Sequence, residues 1–188
     1  MNRDEIKFLA LQELGFAEFP DFTSEEDNAV NIVNNQYDHI YSLALQSFNW
    51  SFTEKMVELT DVVNDSGVYQ HKCRLPSDIL YLRGVYSDEK ETVLSDYKLA
   101  GDYIYTNDET VYVSYTRQVC EEELPAYFIE YLKYRLARNL CPNITGDKDL
   151  LQWLTNNEQI AFANAKNIDL TQRRVRVLPT GAFVDVRF

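Results

Sequence analysis

The hydrophobic period of this chain changes twice, and those changes constrain its fold more than any other feature. Up to about residue 50 the apolar residues recur at helical spacing. From Trp50 to about residue 118 they alternate, and after Pro125 the helical spacing returns. Side chains three and four apart share one helix face, whereas alternate side chains share one sheet face. A chain patterned this way holds a β unit between two helical stretches.

The first stretch predicts a short helix over Asp4–Leu14, with Ile6, Leu9 and Ala10 on one face and Gly15 ending it. Ser24 then reads as an N-cap, with Glu25, Glu26 and Asp27 in the first turn, where a helix dipole favours negative charge. Ala29, Val33, Ile40, Leu43, Ala44 and Ser47 continue the spacing, flanked by Tyr37 and Phe48. This predicts a helix of about 22–25 residues, or about 35 Å. His39, beside Ile40 and Tyr41, reads as a partly buried structural histidine.

In the middle stretch Phe52–Leu59 alternates, and Ile79–Tyr86 is rich in strand formers. IYTNDETVYVSY reads as a hairpin of Tyr103–Thr106 and Val111–Tyr115 turning at Asn107-Asp108. Gly67, Pro76, Gly84 and Gly101 punctuate the unit. Beyond Pro125, Phe128, Tyr131, Leu132, Arg135, Leu136 and Leu140 form a helical stripe that Cys141-Pro142 is expected to stop. Gly146-Asp147 opens a last long helix through Leu151, Leu154, Glu158, Ala161, Ala165 and Ile168. Its alanines 161, 163 and 165 suit close helix approach.

The expected class is α+β, mainly α. A four-helix body is drawn from residues 1–51 and 119–172, with a small antiparallel β unit, 52–118, inserted in it and an extended arm at 173–188. The arm, RRVRVLPTGAFVDVRF, alternates arginine and valine and then continues apolar around Pro179-Thr180-Gly181. Arg173, Arg174 and Arg176 with Val175, Val177, Phe183, Val184 and Phe188 are the candidate partner-binding residues. Such an arm completes itself on another protein or on a neighbouring subunit.

Charge sharpens that expectation. The formal net charge is −12 with a pI near 4.6. Residues 173–188 hold four arginines against one aspartate, so the preceding 172 carry −15. Duplex binding draws its affinity from phosphate neutralisation, so the body is unsuited to it. Basic arms can instead meet acidic surfaces, including copies of this same body. Tyrosine, at 13 residues against Trp 2, suits half-buried contact surfaces.

The residues offer little to catalysis. Cys73, Cys120 and Cys141 are widely spaced, with no CxxC or His/Cys cluster, which argues against zinc and for reduced thiols. His71 and Cys73 share a strand face, but no third orienting group is evident. Glu25-Glu26-Asp27, Glu121-Glu122-Glu123 and Asp147-Lys148-Asp149 each precede a predicted helix and read as helix starts rather than metal sites. No nucleotide-binding or metalloprotease motif occurs. The start, MNRDEIKFLALQELG, lacks a signal-peptide core, and no apolar run approaches a membrane span, so Asn49, Asn64 and Asn143 read as chance sequons. The expectation is no enzyme, no cofactor and no metal.

Four places carry a resemblance: IKFLALQELGF with LQSFNWSF; RLPSDILYLRGVY; DYIYTNDETVYVSY; and LPAYFIEYLKYRLARNLCPNITGDKDL. In order and spacing, across about residues 3–170, the chain resembles the head-to-tail adaptors (tail tubular protein A-like) of short-tailed bacteriophages. The resemblance implies a structural ring, commonly of twelve subunits, between the portal ring and the tail nozzle or tail tube. It implies a place in the virion at the head-to-tail interface, after synthesis in the host cytoplasm. DNA passes through the lumen of such a ring without sequence-specific binding, and an acidic lumen lets it slide. The C-terminal arm of such proteins typically grips the portal, although this arm's own sequence matches no family motif. A neck or stopper protein of a long-tailed phage and a virion-associated cell-wall-degrading enzyme are the alternatives.

Overall fold

The structure, a computed structural model, describes residues 1–24, 26–62, 67–89 and 91–173. It is α+β, with four helices and seven strands in two antiparallel sheets among the described residues. Arg174, Val175, Arg176, Val177, Phe183, Val184 and Phe188 lie outside them, as does Glu25.

Helix α1 spans Arg3–Gln12. Asn2 caps it reciprocally: Glu5 N donates to Asn2 Oδ1 at 2.8 Å, and Asn2 N to Glu5 Oε2 at 2.7 Å. It ends two residues before the predicted Leu14. Gly15, at φ +97°, lets Gly15 N and Phe16 N turn back onto Gln12 O and Leu11 O.

Helix α2 spans Asn28–Gln46, which is shorter than predicted and capped by Asp27 rather than Ser24. The Asp27 carboxylate accepts from Ala29 N at 2.8 Å, while Ser24 N closes a separate turn onto Asp21 O. A later and equally good cap therefore displaced the earlier one. The buried stripe is Ala29, Val30, Val33, Tyr37, Ile40, Tyr41, Ala44 and Leu45. Leu43 and His39 are exposed, contrary to expectation. At 100° per residue both face away from the Tyr37–Tyr41–Ala44 line.

Helix α3 spans Ala126–Ile144, with Pro125 at its N-cap, and it runs through Pro142 instead of stopping there. Proline in the last turn removes one backbone donor, and the helix closes just beyond it. Thr145 N and Gly146 N both reach Cys141 O, at 3.0 and 2.9 Å, with Gly146 at φ +64°. Helix α4 spans Lys148–Gln172 and opens after Gly146-Asp147 as expected, with Asp147 as its cap. Leu154, Glu158, Ala161 and Ala165 are buried, but Ile168 is exposed and the stripe passes to Asp169. Ala163 faces solvent.

Helix α3 packs against each of the other three helices. One apolar cluster draws Ile6 and Leu11 from α1, Val33 and Ala44 from α2, Phe128 and Leu136 from α3, and Leu154 and Ala165 from α4. Trp50 is fully buried in it, meeting Phe48, Phe128 and Phe162 edge to face at 5.1, 5.2 and 6.0 Å. Its indole N–H donates to Ala44 O.

The strands are β1 (Glu54–Glu58), β2 (Asp61–Val62), β3 (His71–Arg74), β4 (Ile79–Tyr86), β5 (Tyr97–Ala100), β6 (Tyr103–Thr106) and β7 (Tyr112–Arg117). Their order is β1-β7-β4 in one sheet and β2-β3-β6-β5 in the other. Both sheets line a second apolar cluster around Val85, Ile104, Val113 and Tyr115. The alternating run from Phe52 begins as a 3₁₀ turn, Ser51–Thr53, and only then becomes β1.

The predicted hairpin is overturned. β6 and β7 belong to different sheets, and β6 turns back on β5 with Ala100 opposite Tyr103. A tight two-residue hairpin needs positive φ in its turn. Gly101 supplies φ +57°, whereas among the described residues only Glu91 has positive φ without being glycine. Asn107 and Asp108 are used otherwise: Asn107 Oδ1 accepts from Gln70 N, and Asp108 N donates to Thr106 Oγ1.

Candidate functional site

Of the predicted partner-binding residues, Arg173 is the one inside the described region, and it closes α4 in a dense polar node. Asp169 lies one turn before it and is 0% exposed. A carboxylate there is doubly unfavoured, by burial and by the negative end of the helix dipole. It is held by an unusual number of donors. Ser51 N reaches both its oxygens at 3.0 and 3.1 Å, and Ser51 Oγ donates at 2.7 Å. Tyr127 OH donates at 2.9 Å, and Arg173 contributes Nε at 3.2 Å and Nη2 at 3.1 Å.

Burial alone pushes this carboxyl up, but the Ser51, Arg173 and Tyr127 hydrogen bonds outweigh it and leave it below the ordinary carboxylate value. The Tyr127 phenol moves the other way, to about 12, through burial and its bond to Asp169. Arg173 also lies over the Phe48 ring at 5.3 Å, and its backbone is extended (φ −73°, ψ 146°). The chain therefore leaves α4 from a guanidinium fixed on two sides.

A buried cation backs this node. Arg83, on β4, donates through Nη2 to Trp50 O at 2.7 Å and Thr53 Oγ1 at 2.8 Å, and through Nε to Thr116 Oγ1 at 3.0 Å. Its Nη1 pairs with Glu54 at 3.2 Å. Burial lowers its pKa, Glu54 opposes that, and Arg173 adds to it. Residues 50–54, the end of α4, the start of α3, β4 and β7 thus meet in one network where the helical and β clusters join.

The His71–Cys73 pair acquires a third group that the sequence did not reveal. β2 places Asp61 opposite Cys73. The Cys73 thiol donates to Asp61 Oδ1 at 3.3 Å, and His71 Nδ1 contacts Asp61 Oδ2. Burial first, and then Asp61, push the thiol up to about 12. The arrangement favours a neutral thiol donor over a nucleophilic thiolate. Only strand register brings these residues together, and register across a two-residue strand leaves no local sequence signal.

A further buried carboxylate, Glu158, lies between α4 and α3, with Arg138 Nε at 2.9 Å and Arg135 Nη1 at 3.9 Å. Among the described residues no group of three or more His, Cys, Asp or Glu side chains is placed to hold a metal ion. Among the same residues no helix is long and apolar enough to cross a membrane. No protein-family model matches the chain, and no curated protein matches it.

Proposed function

We propose that this chain is one subunit of a structural ring in a tailed-phage head-to-tail connector, binding the portal ring on one side and the tail nozzle or tail tube on the other. Its work is assembly and not catalysis, and it needs no cofactor. About twelve copies surround a lumen through which DNA passes. Residues 1–51 and 119–172 form the ring wall as a four-helix body, residues 52–118 project from it as the β unit, and residues 173–188 reach the portal.

The observation that carries this reading is the anchored root of the basic, apolar C-terminal segment. Arg173 is tied to a fully buried carboxylate that is itself tied to Ser51 and Tyr127. A segment that must transmit load between two rings benefits from an anchor in the core, because a frayed helix end would yield first. The resemblance to the adaptor family supports the same reading, as does the contrast between the +3 segment and the −15 body.

Truncation tests it. Removing residues 174–188 leaves Arg173 and its node in place, so the shortened chain should fold with an unchanged far-ultraviolet spectrum. It should lose at least tenfold in affinity for portal particles in a pelleting assay. Equal affinity of the truncated and full chains contradicts the proposed role of the segment.

A further inference from the structure

From Gln152 onward the outer face of α4 carries no exposed charge, although the chain is strongly acidic. Every exposed residue from Gln152 to Gln172 is uncharged. The three charged residues of that stretch are Glu158 and Asp169, which are buried, and Lys166, which is half-buried. Charged residues make up 26% of the chain, so a solvent-facing helix of this length would ordinarily carry several. In their place stand asparagines, glutamines and large apolar side chains: Trp153 is 47% exposed, Ile160 60% and Leu170 50%. At 1.5 Å per residue this face runs about 30 Å.

One edge of the face is basic. Gln159 and Glu158 of α4 line a common groove with Arg135 and Arg138 of α3 and with Phe162. Lys166 lies over that Phe162 ring at 4.5 Å. Three cations therefore border the face on this edge, with Glu158 as the acidic group among them.

We infer that a second copy of this chain packs on the α4 face, presenting part of its acidic surface to the Arg135–Arg138–Lys166 edge. The body carries −15 over its first 172 residues, so like copies repel wherever two acidic surfaces meet. A charge-free face bordered by cations removes that repulsion and replaces it with attraction. Because the two partner surfaces differ in charge, the contact is heterologous. Such a contact repeats head to tail, and it closes into a ring when the rotation permits. The inference draws on the proposed ring only for that closure; the pairwise contact stands without it.

Sedimentation velocity of the full-length chain tests the contact, with Ile160→Glu, Asn164→Glu and Ile160→Lys as variants. Both positions are exposed, so melting temperature and circular dichroism should match the parent. The parent should self-associate at concentrations up to about 1 mM, within reach of weak contacts. Both glutamate variants should weaken that association at least tenfold, and Ile160→Lys should weaken it less than Ile160→Glu. A parent that stays monomeric throughout overturns the inference. So do glutamate variants that associate like the parent, or a lysine variant weaker than the glutamate one. Portal imaging judges the ring reading separately, so a negative result here leaves that reading to its own test.

Discussion

Asp169 shows how one side chain can fix the relation between several elements. Because its folded-state pKa lies below the ordinary value, its ionised form stabilises the fold. That contribution is complete above about pH 4, the unfolded carboxyl's range, and is lost as pH falls through the depressed folded value. Asp169→Asn should cost about 2 kcal/mol at pH 7, because the carboxamide keeps one acceptor oxygen but loses the charge that holds Arg173 and sets an NH2 among the remaining donors. The difference from the parent should shrink below about pH 4, and urea titrations at pH 7 and pH 3 measure both numbers. In the sequence, Asp169 was hidden by geometry. The stripe Leu154, Glu158, Ala161, Ala165 can pass equally well to Ile168 or Asp169, and the apolar residue is the default choice. The donors that reverse that choice come from Ser51 and Tyr127, far away in the chain.

At the level of elements, the helices were largely legible and the strand pairing was not. Periods of 3.6 and 2 are local, so α1 to α4 and β4 could be read within a few residues. Caps compete over a turn or so, which is why Ser24 lost to Asp27. Pairing is non-local: β6 alternates as a hairpin partner of β7 would, yet it pairs with β3 and β5. The decisive residue is Gly101. A Cβ there would meet no atom within 4 Å, so a substitution carries only the cost of its φ of +57°. Gly101→Ala should therefore destabilise by about 1 kcal/mol, and Gly101→Asn by less, since asparagine tolerates this region. Equal stability of all three chains in thermal melts contradicts the hairpin assignment. The His71–Cys73–Asp61 contacts carry the same lesson, because the third member arrives through sheet register alone.

For the whole molecule, composition supplies an acidic body and a basic end, and the packing adds where that end is fastened. The junction around Trp50, Arg83 and Asp169 joins both apolar clusters to the last described residue, Arg173. Force or binding at residues 174–188 would thus reach the core directly. The α4 face is a separate surface, so the inferred contact between copies and the proposed contact with the portal would use different parts of the chain. The proposed ring is tested directly by negative-stain imaging of the full chain mixed with portal-bearing particles. A ring of about twelve subunits should sit on the portal, and it should be absent when residues 174–188 are removed. Portals that stay bare with the full chain, or rings that form equally well without that segment, contradict it.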